Sequence, residues 1–249
     1  MAALEGKNVV VVGAGQGVGK AMIDAARRAG ARTLAIARRP EPLAALAGSD
    51  SDRLTLAADA SDEATPARVV ATLSPDVLVV CGGSHPGKGS LQDQTWESFS
   101  RNWENDVRSS FNFCKAALST PYAPGSTVVL VSSGAGLAGS SRSGGYAGAK
   151  RMQMFMAEYA QEESDRLELG IRFLSLVPRF IMAETELGKA AIADYARYRG
   201  ISEQEFTARF AHPQTPADVA NAFIALVTED PPRGGVVFTV DGQGLSEVA

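Results

Sequence analysis

Val9-Val10-Val11-Val12-Gly13-Ala14-Gly15-Gln16-Gly17-Val18-Gly19 is the stretch that decides the fold. Four valines in a row, without alternation, predict a strand buried on both faces, as in a parallel sheet covered by helices. The glycines predict a tight turn. Lys20 to Ala29 then carries helical spacing and stops at Gly30. Strand, glycine turn and helix in this order make a cradle for a pyrophosphate. Glycines allow close backbone approach, and the helix start offers free N–H groups and a positive dipole end. The spacing Gly-x-Gly-x-x-Gly fails because Val18 holds the third glycine position. Gly-x-x-x-Gly-x-Gly fits, through Gly13, Gly17 and Gly19. The plainer alternative is a structural turn with no ligand.

Working outward, further short apolar runs occur at Thr33 to Ala37, Leu54 to Ala57, Val77 to Val80, Thr127 to Val131, Ile171 to Val177 and Val236 to Val240. Helical stretches lie between most of them. Seven such strands alternating with helices predict one α/β domain over 1–249, a doubly wound, seven-stranded parallel sheet with helices on both faces. The stretch 183–216 has helical pieces but no strand. An insertion there falls near the carboxyl ends of the strands, where ligands bind in such sheets. It reads as a substrate lid or as an ordinary packed helical pair.

Composition narrows the function classes. Of 249 residues, 45% are hydrophobic, and 24 basic residues stand against 28 acidic ones for a net charge of −4. That balance argues against nucleic acid or an anionic membrane as partner. Cys81 and Cys114 make no disulfide framework, and cysteine and histidine are too scarce for a zinc cluster, so no metal is expected. The start, Met-Ala-Ala-Leu-Glu-Gly-Lys, lacks the pattern of a signal peptide, and no run reaches the roughly 18 apolar residues of a spanning helix. The expectation is a cytoplasmic protein.

The end of the second strand bears on cofactor choice. It reads Ala35-Ile36-Ala37-Arg38-Arg39, with two arginines where folds that prefer NAD(H) place a carboxylate. Guanidinium groups suit a 2′-phosphate, so the expectation is NADP(H) rather than NAD(H), with Arg38 the preferred contact and Arg39 next to it in the chain. The alternative is that both merely solvate a helix start.

Tyr146-Ala147-Gly148-Ala149-Lys150 opens a long helical segment reaching about Ser164. The i to i+4 spacing sets phenol and ammonium on one face, and the ammonium favours the tyrosinate form. A phenol so placed is a plausible acid or base. Val128 to Val131 is strand, and Ser133 follows its end, 13 residues before Tyr146, where its hydroxyl can meet a substrate oxygen. A turn or cap role for Ser133 is the alternative.

Taken together, these residues resemble the short-chain dehydrogenase/reductase family over almost the whole chain, which implies a Rossmann-like fold. Asp59-Ala60 after the third strand looks like the family's adenine-contacting pair, and Val240-Asp241-Gly242 like its closing strand and turn. The resemblance implies hydride transfer between nicotinamide and a carbonyl or alcohol. Tyr146 then moves the proton, Lys150 holds the nicotinamide ribose, and Ser133 polarises the substrate oxygen. It implies cofactor contacts at Gly13, Gln16, Gly17, Val18, Gly19, Cys81, Gly82, Pro178 and Thr185, besides Tyr146 and Lys150. It also implies a homodimer or homotetramer.

Several positions depart from the family pattern. Val12 stands for threonine, and Cys81-Gly82-Gly83 for Asn-Ala-Gly. Cys81 reads as an inert thiol rather than a reactive one. Asp106 falls where the family has a catalytic asparagine, with Asn105 turned about 100° away. In the family that residue positions a water that passes protons to the lysine. Asp106 is expected to do so through its backbone carbonyl; its side chain would instead set a negative charge beside Lys150. Pro178-Arg179 replaces Pro-Gly. Arg142 and Arg179 hint at a polar or anionic substrate. His85 reads as a solvated loop histidine, and Met152, Met154 and Met156 as packing residues. Two rivals remain: a cofactor-sensing protein without turnover, and an epimerase or dehydratase of the extended relatives, whose glycine spacing and longer C-terminus do not fit.

Overall fold

The computed structural model describes residues 2–48, 51–120, 122–229 and 234–248. The strands are β1 (Asn8–Val12), β2 (Arg32–Ala37), β3 (Arg53–Ala57), β4 (Val77–Val80), β5 (Thr127–Val131), β6 (Arg172–Pro178), β7 (Val237–Asp241) and β8 (Gly244–Glu247). The helices are α1 (Gly17–Arg28), α2 (Pro40–Ala44), α3 (Thr65–Thr72), α4 (Trp96–Asn102), α5 (Arg108–Ser119), α6 (Ala135–Ala138), α7 (Gly144–Arg166), α8 (Glu186–Arg199), α9 (Glu203–Thr207) and α10 (Pro216–Thr228). A π-helical turn, Trp103–Val107, joins α4 to α5.

All the strands form one sheet in the order β3-β2-β1-β4-β5-β6-β7-β8. Pairing is parallel from β3 through β7, and β8 runs antiparallel beside β7. The α/β, doubly wound, Rossmann-like reading stands, with one correction. The sheet is eight-stranded and mixed, not seven-stranded and wholly parallel. Gly-Leu-Ser-Glu of β8 is a short, largely exposed edge, and an edge strand without a buried face leaves no apolar pattern to read.

The valine run explains the layering. Successive side chains of a strand point to opposite faces. Val9 and Val11 pack with Met22, Ile23, Phe223 and Leu226 from α1 and α10. Val10 and Val12 pack with Val69, Phe113 and Ala157 from α3, α5 and α7. Burying one such side chain contributes about 1.5–3 kcal/mol, which fixes the register. The chain leaves β1 toward β2 and returns to β4 on its other side, so a crevice opens at the carboxyl ends of β1 and β4.

The 183–216 stretch holds α8 and α9, which share a small core of Ile192, Ala196 and Phe206. Thr185 caps α8 by accepting from Gly188 N at 2.9 Å, and Ser202 with Glu205 forms a capping box on α9. Met154 and Met156 are buried and Met152 packs partly against the core. Among the described residues no helix is long and apolar enough to cross a membrane.

Candidate functional site

A cavity of about 1470 Å³ runs along the carboxyl ends of the strands. Its first wall is the glycine loop. Gly13 has φ +85° and lies so close to the loop after β4 that a Cβ would stand 2.5 Å from Gly82 Cα. Gly19 packs against the carbonyl of Gly13, with 2.2 Å for an added Cβ. Only glycine permits that approach. The start of α1 has no acidic residue in its first turn and no side-chain cap, so its N–H groups stay free for an anion. Gln16, Gly17 and Val18 line the same wall.

Arg38, Arg39, Asp59 and Ala60 close one end of the cavity. Partial burial works against the charge of Asp59, yet hydrogen bonds from Ser61 and the Arg38 guanidinium hold its carboxyl below its ordinary value. This end of the cavity therefore carries a carboxylate near the Arg38 guanidinium. Cys81, Gly82, Pro178 and Thr185 line the middle. Burial pushes the Cys81 thiol up to about 11 and that of Cys114 up to about 12, as inert thiols behave. The Thr185 hydroxyl is committed to its cap and to Met182 O.

Ser133, Tyr146, Lys150 and Asp106 converge on the cavity. Ser133 Oγ accepts from Ala135 N at 3.3 Å, which leaves its own proton to donate into the cavity. The Tyr146 phenol lies where α7 begins. Gly145 lets α4 approach there: a Cβ would stand 1.8 Å from Phe99 O. Among the described residues, no hydrogen bond engages the Tyr146 hydroxyl. Lys150 Nζ lies 5.5 Å from the Tyr146 ring centroid, donates to Val131 O at 3.2 Å and Gln153 Oε1 at 2.9 Å, and pairs with Asp106 Oδ2 at 3.5 Å. Burial works against the Lys150 ammonium, but the Asp106 carboxylate and then Tyr146 and Cys81 offset it, so it titrates above its ordinary value.

For Asp106 the sequence expectation is a role for the backbone carbonyl. Its carbonyl already accepts from Ser110 Oγ at 3.0 Å and from Gln153 Nε2 at 3.4 Å, while its buried carboxylate faces Lys150. The π-helical turn aims this side chain inward, and Asn105 instead donates to Arg101 O at 2.8 Å. Gly83 leaves room for the carboxylate; a Cβ there would lie 2.7 Å from Asp106 Oδ2. Sequence reasoning missed Asn102, Ser110 and Gln153. The available signal was spacing, since Asn102 and Ser110 sit four residues to either side of Asp106 and Gln153 three beyond Lys150.

The arginine hints are also corrected. Arg142 is tied to Asp194 at 3.0 and 3.3 Å and to Ser90 Oγ at 3.0 Å, fastening the loop before α7 to α8. Arg179 pairs with Asp241 at 3.4 Å. Both charges have protein partners, so neither argues for an anionic substrate. The cavity is also lined by Phe180, Tyr195, Phe206 and Phe210, with stacked rings 5.5–5.8 Å apart. His85 is exposed on the rim.

The family profile described as short chain dehydrogenase matches residues 7–195. The 2-keto-3-deoxy-L-fuconate dehydrogenase of Xanthomonas campestris pv. campestris is 33% identical over 46% of this chain and 38% of its own length. The short chain dehydrogenase/reductase AacuD of Aspergillus aculeatus is 32% identical over 62% of this chain and 59% of its own length. The chain thus spans under two thirds of either curated relative. Two solved structures from Brucella melitensis share the fold at 23% identity. A 3-ketoacyl-(acyl-carrier-protein) reductase complexed with NADH has a TM-score of 0.79 over 96% of this chain and 98% of its own. A short-chain dehydrogenase/reductase of the glucose/ribitol dehydrogenase type has 0.80 over 96% and 97%. The expectation of NADP(H) is withdrawn: the similar reductase holds NADH. Arg38 and Arg39 are exposed, and Arg38 lies near the Asp59 carboxylate.

Proposed function

Because this chain belongs to the short chain dehydrogenase family, whose members are oxidoreductases using nicotinamide dinucleotides, we propose that it is an NAD(H)-dependent oxidoreductase acting on a carbonyl or alcohol. The observation that carries the reading is the convergence of Ser133, Tyr146 and Lys150 on one cavity with the glycine loop. The residues fit such a cofactor: a glycine cradle at an uncapped helix start, Asp59 at the adenosine end, and Lys150 at the reacting end. When bound, the nicotinamide supplies or accepts the hydride. Tyr146 gives its phenolic proton to the substrate oxygen, or takes it in the reverse direction. Ser133 donates a hydrogen bond to that oxygen and stabilises the charge developing on it. Lys150 holds the cofactor ribose, and its ammonium favours release of the phenolic proton. We read 1–249 as a single domain whose helices α8 and α9 cover the substrate.

The aromatic side chains of the cavity lining favour a substrate with an apolar body. Assembly as a homodimer or homotetramer belongs to the same proposal. Phe111, Phe155 and Tyr159 are 52%, 54% and 56% exposed on α5 and α7, an apolar face that calls for cover. NADH consumption against ketones, aldehydes and quinones tests the reading. Steady turnover with one class supports it. Tight NADH binding without turnover on any class would favour the cofactor-sensing alternative instead.

A further inference from the structure

In the resemblance, a water between the carbonyl at position 106 and the lysine passes protons. Here the carboxamide of Gln153 spans that gap. Its Oε1 accepts from Lys150 Nζ at 2.9 Å, and its Nε2 donates to Ser110 Oγ at 2.7 Å and to Asp106 O at 3.4 Å. Gln153 is fully buried. An amide accepts at oxygen and donates from nitrogen. Passing a proton through it would require the imidic acid form, so this bridge is closed to protons. The ammonium also pairs with Asp106 Oδ2 at 3.5 Å. Its second oxygen accepts from Ser84 N at 2.9 Å and lies 3.5 Å from Ser84 Oγ, and Ser84 lines the cavity. Gly83 gives the carboxylate its room.

We propose that the Asp106 carboxylate carries protons between Lys150 and the cavity. Gln153 is then a positioning residue that shuts the carbonyl route and holds Lys150 toward that carboxylate. The inference rests on the reading of Tyr146 and Lys150 given above. Each carbonyl reduction consumes one proton at the substrate oxygen. Tyr146 gives that proton and becomes phenolate. The Lys150 ammonium, 5.5 Å from the Tyr146 ring centroid, restores it through an intervening water and becomes the neutral amine. Asp106, protonated from water at its Ser84 side, reprotonates the amine and returns to carboxylate. Oxidation runs the same transfers in reverse. Lys150 is faced by Asp106 from the π-helical turn, Tyr146 from its own helix and Cys81 from the end of β4. Asp106 meets Lys150, with Asn102 and Ser84 as neutral donors.

The test compares wild type, Asp106→Asn, Gln153→Ala and the double variant for kcat, KM and the solvent deuterium isotope effect in NADH-driven reduction. Asp106→Asn is expected to cut kcat about tenfold or more, leave KM within about threefold, and raise the isotope effect. Removing the Gln153 carboxamide leaves space for a water beside polar groups. The double variant should therefore regain about fivefold over Asp106→Asn alone. A kcat for Asp106→Asn within fivefold of wild type, or a double variant no faster than Asp106→Asn, overturns the inference. If Asp106→Asn does not fold, Asp106→Ser takes its place with the same thresholds. Absence of turnover in wild type removes both readings; turnover indifferent to Asp106 removes this one alone.

Discussion

Gly145→Ala probes the contact that sets Tyr146. An added Cβ would stand 1.8 Å from Phe99 O, where real Cβ contacts keep 3.0 Å or more. The helices α4 and α7 must then part by about 1.2 Å, taken as 3.0 less 1.8. Overpacking of this kind costs about 1–3 kcal/mol, or roughly 2–12 °C in Tm for a domain of this size. Tyr146 is the next residue, and a displacement of about 1 Å at reacting groups lowers rates by about a hundredfold. The control is Gly148→Ala on the same helix, whose Cβ meets Trp103 at an ordinary 3.7 Å. It should be neutral or stabilise by up to about 1 kcal/mol, since alanine favours helix over glycine. Melting followed by circular dichroism and NADH-linked turnover read both variants. A Gly145→Ala protein with wild-type Tm and turnover within twofold would refute the packing argument.

Other outcomes follow from the same contacts. The Asp194 carboxyl sits below its ordinary value, chiefly through its hydrogen bond from Arg142, with burial opposing and Arg197 adding. A depressed carboxylate stabilises above its unfolded value near about 3.9 and loses that contribution as pH falls through the lower folded value. Asp194→Asn should cost about 1–3 kcal/mol at neutral pH and flatten the acid limb of urea-unfolding midpoints; parallel pH curves for both proteins would sink the fastening of α8. Ser133→Ala is expected to lower kcat by about 10²–10³ with unchanged NADH affinity by fluorescence titration. Phe155→Asp should convert the assembly to monomers on light scattering, and an unchanged mass would place the interface elsewhere.

Much of the fold was legible because its signals are local. A valine run, a glycine turn and a helix are contiguous, and Tyr146 and Lys150 share a helix face by spacing alone. Partners distant in sequence were not legible. Asp194 reaches Arg142 across 52 residues, and nothing near either shows that the charge is already paired. The cofactor expectation rested on Arg38 and Arg39, and the approach of Asp59 to Arg38 shows only once β2 and β3 lie side by side. Asp106 lines the cavity, but its side-chain direction is set by a π-helical turn and its neighbour Gln153 lies on another helix. A polar residue in a buried helix face gives no hint of its partner until the facing helix is known. The exposed β8 carried no pattern at all.

The central claim rests on the Tyr146 hydroxyl, and its most direct measurement is single-turnover oxidation of bound NADH by wild type and Tyr146→Phe, using a carbonyl compound that wild type reduces. The account requires NADH affinity within about threefold and a hydride-transfer rate lower by about 10²–10⁴ in the variant. A Tyr146→Phe protein that transfers hydride at the wild-type rate would contradict it.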